Sequence, residues 1–267
     1  MDPLGHVNNV IWADYLQEAR LDFLASTGRP ELLYPLLASQ QLNYLRPLTF
    51  DSRPVLVDVW VSAIGTKSFE LSYEVFRDGP EGRTAYLRAH ARHVAWNVGG
   101  EGTRALSEDE RAALSRWLEP TPHEALALAE ARPDHAVHYP LHVRLSDIDL
   151  GGIVNNVKYL EYFQEARIAL LSRQMNEVEP GVLFPTMVIA QADVRYESPI
   201  LRRAEAYDCR TWVSALGTKS MTVEAQIADG DAVKSRGRFV LVFFDLESGR
   251  AAAPDPRFRA VIERELA

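Results

Sequence analysis

Two aspartates stand at matching places in the chain, each three positions before a glycine. Asp2 precedes Gly5, and Asp149 precedes Gly152. A carboxylate can attack a carbonyl carbon directly or activate water as a base, and backbone N–H groups at a helix start can stabilise the oxyanion that develops. Since both patterns run into a predicted helix, they are candidate sites for attack on an activated carbonyl group.

The pattern belongs to an internal duplication. Residues 2–20 align without a gap with residues 149–167, an offset of 149 − 2 = 147 positions. A second block, 60–68, aligns with 212–220 at an offset of 212 − 60 = 152 positions. The second copy therefore carries five extra residues, which we place in a Pro- and Gly-containing loop around 176–181. Two long matching copies predict two domains of the same kind.

Each copy is predicted to be a turn, one long helix and then strands. Because Asn favours helix starts, we expect the helices to open at the Asn-Asn pairs and run for about five turns, to Phe23 or Leu24 and to Leu171. Alternating β-branched and aromatic residues predict strands. These strands are Val55–Val61, Phe69–Phe76, Ala85–Trp96, Tyr207–Val213, Met221–Ile227 and Gly237–Asp245. The predicted fold class is α+β, with two tandem domains, each an antiparallel sheet wrapped around one long central, buried helix.

The domain boundaries follow from the repeat and from composition. We expect domain 1 at residues 1–120, a linker at 121–134 and domain 2 at 135–267. The linker is bounded by Pro and rich in Ala and Glu, which predicts one short helix, and we place the boundary near residue 127.

One difference separates the copies at their starts. An alternating segment, 136–146, precedes Asp149, whereas only Met1 precedes Asp2. An absent first strand would leave a sheet edge of domain 1 unpaired, which is a liability for solubility. We therefore expect the natural gene product to begin upstream of Met1 and to supply that strand.

Composition excludes several classes of protein. The 267 residues carry a formal net charge of −8 with no concentrated Lys/Arg block, which argues against a nucleic-acid partner. No apolar run is long enough to insert in a membrane. The N-terminus does not resemble a signal peptide and Cys209 is the single cysteine, so we expect a cytoplasmic protein.

The motif Asp-x-x-Gly-His/Ile-Val-Asn-Asn, followed by Tyr-x-x-Glu-Ala-Arg, resembles the hotdog-fold thioesterases of the 4-hydroxybenzoyl-CoA thioesterase-like superfamily. The resemblance covers both halves and implies a tandem "double hotdog" that hydrolyses acyl-CoA thioesters without a cofactor. It also implies a possible homodimer of such chains. Two alternatives remain open, an acyl-carrier-protein thioesterase and a noncatalytic acyl-thioester-binding module.

The resemblance assigns roles by position. It implies that Asp2 and Asp149 are the catalytic carboxylates, as nucleophile or base, and that the backbone N–H groups of Asn9 and Asn156 polarise the thioester carbonyl. The expected substrate-binding residues are Gly5, His6, Val7, Asn8, Gly152, Val154, Asn155, Lys67 and Lys219. The two lysines are candidates for CoA phosphates, against the alternative of solvated turn lysines. Because Ile153 replaces His6 in the second copy, we expect Asp to suffice without a histidine base.

Neither a metal nor a serine nucleophile is predicted. No Gly-x-Ser-x-Gly elbow occurs. Seven histidines are scattered along the chain, and His90 and His93 are expected on opposite faces of a strand. Asp147 is expected to shape the turn before Asp149 rather than to react.

Overall fold

The computed structural model describes residues 5–97, 102–123, 126, 128 and 133–266. The chain divides into two compact units, Met1–Ala125 and Leu126–Ala267. Each combines helices with an antiparallel sheet, so the predicted α+β class is confirmed. Among the described residues, none of the helices has the length and apolarity that a bilayer crossing would require.

Unit 1 carries one long helix, a four-stranded antiparallel sheet and a short second helix. Its elements are α1 (Ile11–Ser26), β1 (Leu36–Tyr44), β2 (Leu56–Ile64), β3 (Ser68–Gly79), β4 (Gly82–Val94) and α2 (Glu108–Ser115). The strand order within the unit is β2-β3-β4-β1. One side of α1 is buried through Trp12, Leu16 and Leu24, whereas Ile11 and Glu18 are exposed.

Unit 2 repeats this plan and adds a first strand. Its elements are β5 (Val137–Leu141), α3 (Lys158–Asn176), β6 (Met187–Tyr196), β7 (Tyr207–Leu216), β8 (Ser220–Asp229), β9 (Ala232–Asp245), β10 (Arg250–Ala251) and α4 (Pro256–Leu266). The order is β6-β9-β8-β7-β5, all antiparallel, and the short β10 pairs with β9.

Helix α3 packs closely against its sheet. Phe163, Ala166 and Leu170 are fully buried. A Cβ built on Gly237 would lie 3.1 Å from a ring carbon of Phe163 and 2.8 Å from one of Phe239, so β9 approaches the helix where it lacks a side chain. Such close packing agrees with the predicted burial of this helix.

The edge of each sheet differs between the units. In unit 2, β5 covers the edge, with Leu141 opposite Tyr207 and Val137 opposite Thr211. The equivalent stretch of unit 1 is Val55–Val59 (207 − 152 and 211 − 152). There a groove of about 660 Å³ lies between β2 and the α1 side chains, which include Tyr15 and Glu18. The upstream strand expected in unit 1 stays a prediction.

Several element predictions need correction. The helices begin at Ile11 and Lys158, two residues after the Asn-Asn pairs, and α3 continues to Asn176, five residues beyond the predicted end. Strands β1 and β6 and helices α2 and α4 were not predicted. The linker helix falls largely on 124–125, 127 and 129–132, outside the described residues.

Candidate active site

The segment between β5 and α3 is organised by a buried aspartate. The carboxylate of Asp147 is 3% exposed and accepts hydrogen bonds from the Arg144 N–H (2.8 Å) and the Tyr162 hydroxyl (2.7 Å). Its carbonyl oxygen accepts the N–H of Asn155 at 2.8 Å. Burial and the hydrogen bond to Asp147 raise the pKa of Tyr162, so the phenol keeps its proton and remains a hydrogen-bond donor. Asp147 therefore shapes the turn, as expected from its position.

Asp149 lies on the exposed side of the same loop. Its Oδ1 accepts hydrogen bonds from the N–H groups of Gly151 (2.8 Å) and Ile153 (3.4 Å), which fix the carboxylate relative to the turn. The Asp149 N–H donates to the Ile153 carbonyl and its own carbonyl accepts from Gly152. Both side-chain bonds are made by one carboxylate oxygen, and the residue as a whole is exposed. Asp2, its counterpart, lies outside the described residues.

The start of each helix has the same hydrogen-bond frame in both units. Asn8 Oδ1 accepts the Val10 N–H at 3.1 Å, and Asn155 Oδ1 accepts the Val157 N–H at 3.2 Å. The carbonyls of the same two asparagines accept the N–H groups of Ile11 and Lys158, both at 3.0 Å. The asparagine side chains therefore satisfy N–H groups that the helix starts leave unbonded.

This frame also orients the peptide that the resemblance assigns as carbonyl donor. The peptide between Asn155 and Asn156 is trans and planar, so the Asn156 N–H points opposite to the Asn155 carbonyl. Since that carbonyl points into the helix, the Asn156 N–H points out of its positive end. The same geometry holds for Asn9.

Two tyrosines that the sequence analysis did not identify complete the frame. Tyr44 on β1 donates its hydroxyl to the Asn9 carbonyl (2.9 Å), and Tyr196 on β6 donates to the Asn156 carbonyl (3.2 Å). They are repeat equivalents, because 196 − 44 = 152. That offset, already visible in the Trp60 and Trp212 blocks, was the signal that could have identified them.

The glycines of the motif have a backbone role. Gly5 and Gly152 adopt φ of 74° and 78°, in the left-handed region that favours glycine. Nothing lies within 4 Å of a Cβ added at either position. The left-handed backbone therefore accounts for glycine at both positions, while the substrate-binding role of Gly5 and Gly152 stays a prediction.

Three further residues predicted to bind substrate lie in the motif loops. Val7 and Val154 donate their N–H groups to the carbonyls of Leu48 and Ile200, at 2.8 and 2.9 Å, so each motif loop is held against the segment that follows β1 or β6. His6 forms a bridge with Thr49 beside the first-unit loop. His6, Val7 and Val154 therefore belong to the two motif loops.

The predicted lysines lie elsewhere within their units. Strand β7 begins at Tyr207, which pairs with Leu141 at the end of β5 that leads to Asp149. Lys219 follows the opposite end of β7. A ten-residue strand spans roughly 30 Å, so Lys219 is remote from Asp149 within unit 2. Lys67 occupies the equivalent turn, 3.5 Å from the Thr103 hydroxyl.

The first turn of α3 differs from that of α1 next to the candidate carboxylate. Tyr159 replaces Trp12 at the 147-residue offset, and its hydroxyl accepts the Ile200 N–H at 3.3 Å. Burial is the main cause that raises the pKa of Tyr159, and the nearby negative charge of Asp149 contributes. Tyr159 is thus a neutral, buried neighbour of Asp149 that only unit 2 provides at this position.

The histidines of unit 1 are not all scattered. His90 on β4 stacks on His123, with ring centroids 3.5 Å apart, and Glu70 lies beside both. His93 is on the other face of β4, where it stacks on Phe69 and contacts Arg20. The expected separation of His90 and His93 is confirmed, but the expectation that the histidines form no cluster is wrong for His90 and His123.

Comparisons with known proteins agree with this geometry. The family described as the Thioesterase-like superfamily matches residues 1–118 and 143–262, one segment in each half. A search of curated protein sequences finds no match.

Three solved structures are similar over nearly the whole chain. A protein assigned as an oleoyl thioesterase from Lactobacillus plantarum has a TM-score of 0.75 and 15% identity, covering 91% of this chain and 90% of its own. The 12:0-ACP thioesterase of Umbellularia californica has a TM-score of 0.72 and 16% identity, covering 90% and 92%. An acyl-ACP thioesterase from Bacteroides thetaiotaomicron has a TM-score of 0.67 and 14% identity, covering 90% of this chain and 92% of its own.

These identities show a shared fold, while the two matched segments together span most of the chain. With the Asp-x-x-Gly pattern and the Asn-Asn pair preceding both long helices in the sequence, the chain belongs to the Thioesterase-like superfamily.

Proposed function

We propose that the protein hydrolyses acyl thioesters to a free acid and a thiol, with Asp149 as the catalytic carboxylate of unit 2. Family membership supports thioester hydrolysis as the reaction class. The observation that carries the assignment is the exposed Asp149 carboxylate in the loop directly before α3, where the Asn156 N–H points out of the helix start.

The reaction follows from these groups. Asp149 either attacks the thioester carbonyl carbon or removes a proton from the water that attacks it. The carbonyl oxygen then gains negative charge, which the Asn156 N–H and the positive end of α3 stabilise. The carbon–sulfur bond breaks and the thiolate takes up a proton. If Asp149 is the nucleophile, water hydrolyses the resulting anhydride and regenerates the carboxylate.

The loop surface fits an apolar acyl group. Leu150 is 99% exposed and Leu145 is 75% exposed, and both flank the aspartates of the loop. Exposed leucines beside an exposed carboxylate are suited to an acyl chain that is covered when substrate binds.

Coenzyme A is the leading carrier, and acyl carrier protein is the second candidate. Two full-length structural neighbours are acyl-ACP thioesterases, which favours the carrier protein. The net charge of −8 disfavours the carrier protein, because such carriers are acidic and would be repelled at long range. Asp2 is proposed to play in unit 1 the part of Asp149 in unit 2.

The test is thiol release from acyl-CoA and acyl-ACP panels by the wild type, Asp149→Asn, Asp2→Asn and the double variant. Asp231→Asn is the matched control, since Asp231 is an exposed turn aspartate. We expect the double variant to lose roughly 10²–10⁴-fold in kcat, as for removal of a general base, while the control keeps wild-type activity. Each single variant retains the activity of the other unit.

Two results would contradict the proposal. Full activity in the double variant would remove the catalytic role of both aspartates. No release above background from any substrate by the wild type, with saturable acyl-CoA binding, would instead identify a noncatalytic binding module.

A further inference from the structure

The cluster of Glu70, His90 and His123 in unit 1 lies apart from the motif loops and has no part in the proposed hydrolysis. We propose that these three residues bind a divalent transition-metal ion, with Zn²⁺ as the representative case. The candidate ligand atoms, one from each residue, all lie within 4.8 Å of one another. Two imidazoles and a carboxylate are a ligand set that suits Zn²⁺.

The individual distances approach those of a metal site. Glu70 Oε2 lies 3.2 Å from His90 Nε2 and 3.8 Å from His123 Nε2. Ligand atoms about 2.1 Å from a tetrahedral ion are roughly 3.4 Å apart, so Glu70 and His90 are already at a suitable separation. His123 has a side chain 34% exposed and can rotate to complete the set.

His90 is held as a metal ligand would be. Its Nδ1 lies 3.2 Å from the Ser72 hydroxyl, a contact that fixes the ring and directs Nε2 towards Glu70. The residue is 9% exposed, and its Nε2 contacts the Glu70 carboxylate at 3.2 Å without a well-formed hydrogen bond among the described residues. A buried nitrogen without such a bond is costly unless something else occupies its lone pair.

The second unit shows what occupies the equivalent place there. Ser72 pairs with His90 across β3 and β4, and Glu224 pairs with Arg238 across β8 and β9. Ser72 and Glu224 are repeat equivalents (224 − 72 = 152), so Arg238 stands where unit 1 has His90. Its guanidinium lies 3.6 Å from the buried Glu224 carboxylate. Unit 2 thus carries an arginine at this position, whereas unit 1 has a histidine there.

A metal ion at this site would link the last segment of unit 1 to the sheet of the same unit. Leu118 lies beside Val61 in a parallel bridge, and Thr121 accepts a hydrogen bond from the Trp60 indole at 2.9 Å. His123 follows directly and reaches Glu70 and His90 on the inner strands. A metal ion there joins two strands to a segment distant in sequence, and therefore stabilises the folded unit.

The experiment uses the full chain after treatment with a chelator. Zn²⁺ is titrated by calorimetry, and Co²⁺ replaces it so that its visible absorption reports the coordination. His123→Ala is the main variant, because this exposed residue can be removed without opening the core. His135→Ala is the matched control, an exposed histidine outside the cluster. Ser72→Ala tests the residue that orients His90.

The wild type and His135→Ala are expected to bind one ion saturably and to gain thermal stability with it. His123→Ala is expected to lose saturable binding, and Ser72→Ala to weaken it by roughly 10-fold, as for other residues that orient a ligand. The proposal is overturned if the wild type shows no saturable binding, or if His123→Ala binds as tightly as His135→Ala does. Activity is not the readout, so failure here leaves the hydrolysis proposal unaffected.

Discussion

Replacement of Tyr162 by Phe removes one hydroxyl and tests whether the buried aspartate holds the catalytic loop. The Tyr162 hydroxyl donates to Asp147 Oδ2 over 2.7 Å, and the other donor to that oxygen is the Arg144 N–H at 2.8 Å. A hydrogen bond to a charged, buried group contributes about 1.5–3 kcal/mol. We therefore expect Tyr162→Phe to lower the stability of this loop by about 2 kcal/mol.

Hydrogen exchange measured by mass spectrometry reports this change directly. The N–H groups of Asn155 and Val154 donate to carbonyls within or beside the loop, so both are protected while it is closed. A loss of 2 kcal/mol corresponds to about 30-fold faster exchange, since 1.4 kcal/mol is a factor of ten. Tyr139→Phe is the matched control, because it also removes a tyrosine hydroxyl of unit 2, one that donates to the Glu165 carboxylate at 2.8 Å and not to Asp147.

Wild-type exchange in Tyr162→Phe would refute the view that Asp147 organises the loop. Equal acceleration of the same loop by Tyr139→Phe would refute it too, because the effect would then come from the loss of any tyrosine hydroxyl in unit 2 rather than from the Asp147 bond.

Two further predictions concern backbone conformation and pH. Gly152→Ala places a side chain at φ of 78° and is expected to cost about 1–2 kcal/mol in unfolding free energy by urea denaturation, whereas Gly79→Ala, at an ordinary φ, costs less. Burial raises the pKa of Asp193 from 3.8 to about 6, against the hydrogen bond from Gln191 and the charge of Arg238. The folded state therefore holds this proton more tightly than the unfolded state. The contribution of this proton to the free energy of unfolding is fully present below about pH 4. It is lost as the pH rises through 6, which lowers the free energy of unfolding by up to about 3 kcal/mol. Asp193→Asn should remove that part of the pH dependence, and an unchanged profile would contradict the assignment.

The internal repeat made much of the fold predictable. Matching blocks located both long helices and six strands, because two copies of one pattern must adopt one structure. The helix starts were displaced by two residues, since Asn8 and Asn155 bond the N–H two positions on rather than beginning the helix themselves. Strands β1 and β6 escaped prediction because buried polar residues, such as Gln40 and Asp193, interrupt their apolar pattern.

The loop of the candidate site could be predicted from the sequence, whereas the residues that contact and support that loop could not. The repeated motif and its resemblance to hotdog-fold thioesterases led to the prediction of Asp149 and the asparagines as site residues. Tyr44, Tyr196 and Tyr159 contribute from other elements, so their roles depend on which strands and turns meet. The His90–His123 contact likewise depends on the fold-back of the segment after α2. Separation in sequence hides such contacts until the chain is folded.

The shared frame at the helix starts has a consequence for how the two halves diverge. Asn8 and Tyr44 in one unit, and Asn155 and Tyr196 in the other, fix the same peptides through bonds to the backbone. The neighbouring side chains are not part of that frame, and two of them have already changed, His6 to Ile153 and Trp12 to Tyr159. A duplicated chain built in this way can keep one backbone frame in both halves while the side chains beside that frame diverge independently.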